Sequence, residues 1–296
     1  MKSLKIISKT RSLSFILATL LLISGQLMAQ PVSIELNGLK LNAEINPAED
    51  KTKPFFLILH GTFAWHGMEL PTTIQSLLEE EDYGSLAFSL SLGVNDRTGF
   101  FDCKQPIISQ HGNAQQEIDQ WVKYLNTQGY KNIVLVGHSR GGAQMAAYAL
   151  ANQKSAKQLF LIAPMTWKQT KIARAFNKNN NKSLEDLVTK IKSGKLSELK
   201  RQNILHCKEA SIAAQSFLSY YTNSPEKNTP TLISKTKMPT KIYLGSEDSI
   251  TEKINKQKPL FEKNANVSHL LIDGSDHFFR DFYADEMVTD MIETVQ

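Results

Sequence analysis

Six short apolar runs, each closed by a turn residue, constrain this chain more than any other feature. They are FFLILHG (55–61), GSLAFSLSLG (84–93), NIVLVG (132–137), KQLFLIAP (157–164), TKIYLG (240–245) and NVSHLLID (266–273). FFLILHG, GSLAFSLSLG and NIVLVG are strongly apolar, which suits strands buried on both faces, and the other three also read as strands. Ahead of them VSIELNG and LKLNAEINP do alternate, and Gly38 separates the two, so they read as an antiparallel hairpin. Between the runs lie helical patterns. Residues 113–129 place Ile118, Trp121, Val122 and Leu125 on one face and stop at Gly129. An alanine-rich helix follows residue 139, and residues 280–295 read as a closing helix. Buried strands alternating with helices give an α/β class with a mostly parallel sheet flanked by helices.

Residues 165–237 break that alternation, because no convincing strand occurs between KQLFLIAP and TKIYLG. SLEDLVTKIKSG reads as a helix, with Ser183 as N-cap, acids in its first turn, lysines later and Gly194 as its stop. ASIAAQSFLSYY (210–221) reads as another. The expectation is a helical lid inserted into a sheet domain made of residues 30–164 and 238–296. From Lys168 to Arg201 there are ten Lys and Arg against three Asp and Glu. This is either a solvated helix face or a basic lid favouring an anionic substrate or surface.

The formal net charge of +5 is misleading. Lys2, Lys5, Lys9 and Arg11 precede the apolar run LSFILATLLLI, and removing these four leaves 30 basic against 29 acidic residues. Composition therefore gives nucleic-acid binding no support. The same segment reads as an export signal over residues 1–29, cleaved after Ala29. Its apolar run is about eleven residues, short of the roughly 20 that span a bilayer, so the mature chain is expected to have no stable membrane span. A periplasmic or secreted protein follows as the expectation. Export also bears on the two cysteines, Cys103 and Cys207, which are read as one disulfide or as two buried thiols. Their spacing does not suggest a metal site.

The chemistry centres on VLVGHSRGG (135–143), where Ser139 follows a buried strand and opens a helix. A serine at such a turn sits in strained backbone, and Gly137 and Gly141 remove the clashes that side chains would make there. The turn projects the hydroxyl at the C-terminal edge of the sheet, above a helix N-terminus that favours developing negative charge.

With LILHG, GHSRGG, GSEDS and GSDHFF in this order, the sequence resembles the α/β-hydrolase superfamily over residues 33–296. HGTFAWHGME and SLSLGVNDRTGFFDC further resemble a group of exported bacterial members of unassigned substrate. The resemblance implies the chain order nucleophile, acid, histidine. Each residue agrees on its own chemistry. A serine hydroxyl needs a base, and His277 follows a strand in a late loop that can reach over the sheet edge. His138 adjoins the serine but has poor geometry for a base. His269 lies within a strand, and His60 reads as a brace between loops. Asp248, after TKIYLG, would orient the histidine, with Glu247 as the alternative. The oxyanion would be held by backbone N–H groups of Arg140 and of Thr62, or of Phe63 in place of Thr62.

These readings predict hydrolysis of a small-molecule ester or other acyl substrate, with an anionic one favoured if the basic lid takes part. No metal or organic cofactor is required. Acyl transfer on the same residues, and a noncatalytic binding member of the fold, remain open. Trp65, His66, Met68, Phe100, Phe101, Trp167, Phe217, Tyr220 and Tyr221 are candidates for a pocket lining or for plain core.

Overall fold

The computed structural model describes residues 29–250 and 252–296, so the export signal read over residues 1–29 falls outside the described residues except for Ala29. In chain order the elements are β1 (Gln30–Leu36), β2 (Leu39–Asn46), β3 (Phe55–Leu59), α1 (Glu69–Glu80), β4 (Gly84–Phe88), α2 (Ala114–Thr127), β5 (Ile133–His138), α3 (Arg140–Ala151) and β6 (Gln158–Ile162). An inserted segment follows, with α4 (Gln169–Asn180), α5 (Leu184–Lys192), β7 (Glu198–Ile204), β8 (Cys207–Ala213), α6 (Ala214–Tyr221) and α7 (Thr229–Ile233). The sheet domain then resumes with β9 (Thr240–Gly245), β10 (Val267–Ile272) and α8 (Phe282–Val295). Among the described residues no helix is long and apolar enough to cross a membrane.

Eight strands form one sheet in the order β1-β2-β4-β3-β5-β6-β9-β10. The β1–β2 and β2–β4 pairs are antiparallel and every later pair is parallel. The β1–β2 hairpin turns on Asn37 and Gly38, both with positive φ (52° and 76°), as the right-handed strand twist favours. Five of the six runs are explained by two cores, one on each face; the sixth, β10, is the sheet's edge strand, with Ser268 and Leu271 exposed. In β3, Phe55, Leu57 and Leu59 face the core under α2, α3 and the insertion, while Phe56 and Ile58 face the core under α1 and α8. β5 and β6 divide in the same way. The chain leaves β3 toward β4 on one side and reaches β5 on the other. A crevice opens at such a switch point outside the strands' C-terminal ends.

Two elements differ from the sequence expectation. Helix α1 escapes a reading by periodicity because Pro71 and two threonines follow its start. Pro71 is nevertheless tolerated in the first turn, where backbone N–H groups have no helical partner, and Leu70, Ile74 and Leu78 provide the buried face. The insertion is not all-helical. Residues 198–213 form the antiparallel pair β7–β8, so Ala210–Ala213 close a strand and α6 begins only at Ala214. Register shifts on both sides of Gln202 break the alternation that would have marked β7 as a strand. The helix at 184–192 forms as read, with Ser183 Oγ accepting from the Asp186 N–H at 3.1 Å. All ten basic residues between Lys168 and Arg201 are exposed.

The insertion is fastened to the loop between β4 and α2. Cys103 and Cys207 form a disulfide. Ile107 exchanges backbone hydrogen bonds with Ser211 and Ala213 at 2.8 and 3.0 Å, and the His111 N–H donates to Ser219 Oγ at 2.8 Å.

Candidate active site

Ser139 sits between β5 and α3 with φ 54° and ψ −118°, a conformation side-chain-bearing residues rarely hold. The surrounding packing enforces it. A Cβ on Gly137 would stand 2.7 Å from the Gly141 carbonyl oxygen, and one on Gly141 would collide with the His60 carbonyl oxygen. Only glycine at both positions lets the turn close this tightly.

Two further loops converge on the serine. Parallel pairing of β9 with β10 sets Gly245 opposite Ile272. The loops beyond them are tied by bonds from Glu247 N–H to the Ser275 carbonyl (3.0 Å) and from Gly274 N–H to Ser246 Oγ (2.8 Å). As a result Asp248 Oδ2 lies 2.9 Å from His277 Nδ1, and His277 Nε2 lies 3.0 Å from Ser139 Oγ. Asp248 and His277 are both buried. The Ile250 N–H donates to the other Asp248 oxygen at 2.7 Å. An acceptor-only carboxylate beside Nδ1 places the imidazole proton on that nitrogen, leaving Nε2 as the acceptor toward the serine. Glu247, the alternative acid, is exposed.

His138 lies beside this row. Its Nε2 is 2.9 Å from the His277 carbonyl oxygen, which can only accept, so Nε2 carries a proton. Burial, and secondly the His277 ring 4.8 Å away, lower its pKa to about 4. It remains neutral and holds the His277 backbone in place. His60 is also buried and neutral, lowered to about 3 by burial and then by Arg97. Its Nδ1 is 2.8 Å from the Gly61 carbonyl oxygen and its Nε2 accepts from the Leu90 N–H at 3.2 Å. It thus joins the loops after β3 and β4, as a brace should. Arg97 completes that brace through the carbonyls of Leu90, Ala64 and Gly99.

The Arg140 N–H is the first of α3 and has no partner within the helix. Thr62 lines the same cavity as Ser139, whereas Phe63 is buried with its ring against Phe101, His206 and Tyr220. The Arg140 side chain donates from Nε to Thr62 Oγ1 at 3.0 Å.

A cavity of about 700 Å³ opens over Ser139. Its apolar wall combines Met68, Leu70, Pro71, Phe100, Leu205, Ile250 and Phe278. Of the lining candidates from sequence, Met68 and Phe100 take part. Trp65, His66 and Phe101 do not, and Trp167, Phe217, Tyr220 and Tyr221 pack inside the insertion or at its seam. The Leu205–His206 contribution escaped the sequence reading because it lies at the tip of the unrecognised β7–β8 hairpin. None of the exposed basic residues between 168 and 201 lines the cavity. Cys103, His206 and Cys207 place their ligand atoms within 4.8 Å of one another, but the two sulfurs are bonded together and hold no metal.

Comparison with known proteins agrees with this architecture. A family model described as serine aminopeptidase, S33, matches residues 108–277. A Mycoplasma pneumoniae protein named as an esterase/lipase is 27% identical over 155 residues, 48% of this chain. The match spans half the length of that curated relative. Among solved structures, Est1E from Butyrivibrio proteoclasticus with ferulic acid bound superposes with a TM-score of 0.65 at 17% identity, covering 89% of this chain and 97% of its own. A monoacylglycerol lipase from Paleococcus ferrophilus gives a TM-score of 0.58 at 18% identity, covering 86% and 98%. At these identities the structural likeness establishes the α/β-hydrolase fold.

Proposed function

The chain belongs to the serine aminopeptidase S33 family of α/β-hydrolases, and from that premise we propose that it cleaves small-molecule esters through a Ser139–His277–Asp248 triad. The observation that carries the reading is the unbroken hydrogen-bonded row from Asp248 through His277 to Ser139 Oγ, at 2.9 and 3.0 Å, opening into an apolar cavity. His277 Nε2 takes the hydroxyl proton as Ser139 Oγ attacks the ester carbonyl. Asp248 stabilises the imidazolium that forms. The oxyanion is received by the backbone N–H groups of Arg140 and Thr62. His277 then returns its proton to the leaving alcohol, giving an acyl-enzyme. Water deprotonated by the same nitrogen releases the acid and regenerates Ser139.

The cavity favours an ester over a peptide with a free amino terminus. Among the described residues the one lining carboxylate, Glu69, is already paired with Arg280 at 3.2 Å, so a cationic amine finds no ready partner there. The segment 165–237 acts as a cap whose hairpin tip supplies part of the wall. Export to an oxidising compartment is part of the proposal, motivated by the basic-then-apolar start of the sequence and consistent with the Cys103–Cys207 bond.

The test is covalent labelling. A fluorophosphonate probe should add once to the wild-type protein by intact mass, and Ser139→Ala should remain unlabelled. A folded wild type that stays unmodified would overturn the triad reading.

A further inference from the structure

Resting on the triad reading above, we infer that Arg140 contributes an anion receptor beside the nucleophile through its side chain, so that the preferred substrate is an ester bearing a carboxylate near the scissile bond. The position is unusual for a cation. Arg140 is 9% exposed and directly follows Ser139, yet no carboxylate of the described residues pairs with its guanidinium. The groups it contacts are neutral: Thr62 Oγ1 at 3.0 Å from Nε, His111 Nδ1 at 3.5 Å from Nη1, and the Tyr220 ring with its centroid 5.4 Å from Cζ; the buried Lys227, close enough to act on its charge, is a second cation. Among the described residues nothing accepts a hydrogen bond from Nη2. Guanidinium does not shed its proton in proteins, and a buried charge with no counter-charge is costly. A carboxylate offers the two acceptor oxygens that such a fork matches.

The other arginine on the cavity shows the contrast. Arg280 bonds Glu69 and Asp276 at 3.2 and 3.1 Å and is neutralised within the protein. The ten basic residues between Lys168 and Arg201 face solvent and do not line the cavity, and the buried Lys227 donates to the Ser219 and Thr222 carbonyls. Of the Lys and Arg among the described residues that line the cavity, Arg140 is therefore the one left to a ligand. It is also pre-positioned, with Thr62 fixing Nε and Tyr220 lying under the plane, so an incoming carboxylate has little to reorganise. Phe100 and Ile250, 61% and 56% exposed at the cavity, provide surface for the apolar remainder of such a substrate.

The test compares charged and neutral esters of matched length. The 4-nitrophenyl hemiesters of adipate and suberate would be assayed against the 4-nitrophenyl esters of heptanoate and nonanoate. Wild type should favour the hemiester by about tenfold or more in kcat/KM for at least one length. Arg140→Met should bring that ratio to near unity, and Arg140→Lys should restore part of it. The ratio isolates charge recognition from any general loss of rate in the variants. Melting curves and fluorophosphonate labelling identify a misfolded variant, and Arg140→Lys then decides by falling below wild type in the ratio. If the esters are cleaved and no length shows the preference, or Arg140→Met keeps it, the receptor is overturned while the hydrolase reading stands. If wild type cleaves none of the esters, calorimetry with free adipate and suberate decides. Binding by wild type that Arg140→Met abolishes retains the receptor without the hydrolase reading, and absent or unchanged binding overturns the receptor.

Discussion

Ser139, Asp248 and His277 stand on loops leaving three strands of one parallel array, β5, β9 and β10, whose spacing is fixed by ladder hydrogen bonds. Leu205 and His206 line the same cavity from the tip of β7–β8, a pair outside the eight-stranded sheet that is held to the β4–α2 loop by the disulfide and a short run of backbone bonds. The floor of the cavity is thus placed by the main architecture of the fold. The part of its wall that the hairpin supplies depends on one covalent tie and a local seam. On the proposed triad, the arrangement separates chemistry from selectivity: a change in the hairpin would alter what fits over Ser139 without moving the triad.

The largest expected effects break the floor alone. Ser139→Ala should lower ester turnover by roughly 10⁶-fold, and Asp248→Asn by about 10⁴-fold, because the amide no longer holds the imidazole in the required tautomer. Steady-state rates measure both, and unchanged melting temperatures would show that the wall and core remain in place.

Acid should weaken floor and seam together. Burial keeps His60 and His111 at about 3 and His138 at about 4, well below the usual imidazole value. Between pH 6.5 and about 4 the unfolded chain therefore binds protons that the folded chain refuses. Stability should be retained above pH 6.5 and fall steadily as the pH drops through this window. Denaturant titrations at pH 7, 5.5 and 4.5 measure the loss, and equal stability at all three would refute it.

Replacing Cys103 and Cys207 together with serine acts on the wall. The bond closes a loop across 104 residues, and removing it should cost about 2–5 kcal/mol in unfolding experiments. Fluorophosphonate should still modify Ser139, while discrimination between bulky and small acyl groups narrows. Loss of labelling in a folded double mutant would mean that the wall also positions the nucleophile. The smallest effect belongs to Thr62→Val, which keeps the backbone N–H but removes the oxygen that accepts from Arg140 Nε. It should reduce kcat/KM by about tenfold or less, and a much larger loss would assign Thr62 Oγ1 itself to the reacting centre.

The same division explains what sequence disclosed. β3 and β5 were legible because a strand buried on both faces is almost wholly apolar, and the glycines around Ser139 were legible because the turn admits nothing larger. The order of GHSRGG, GSEDS and GSDHFF was enough to nominate Ser139, Asp248 and His277, the residues that the structure brings within hydrogen-bonding distance. β7 was hidden because its irregular register removes the period-two signal. Leu205 and His206 gave no local sign, since their place on the cavity follows from where the hairpin is fastened. His138 was set aside as a base, and its bond to the His277 carbonyl depends on a partner 139 positions away.

The Cys103–Cys207 bond also gives the chain an uneven covalent geography. Ser139 lies inside the ring that it closes, whereas Asp248 and His277 lie on the tail beyond it. A single protease cut within the ring leaves both fragments tethered, with the tail still attached. A cut between Cys207 and Asp248 breaks the covalent link between Ser139 and the proposed acid and base, Asp248 and His277. Synthesis from the N-terminus has the mirror consequence: the ring can be complete before Asp248 and His277 exist, so the proposed triad forms only with the last strand, its loop and the closing helix.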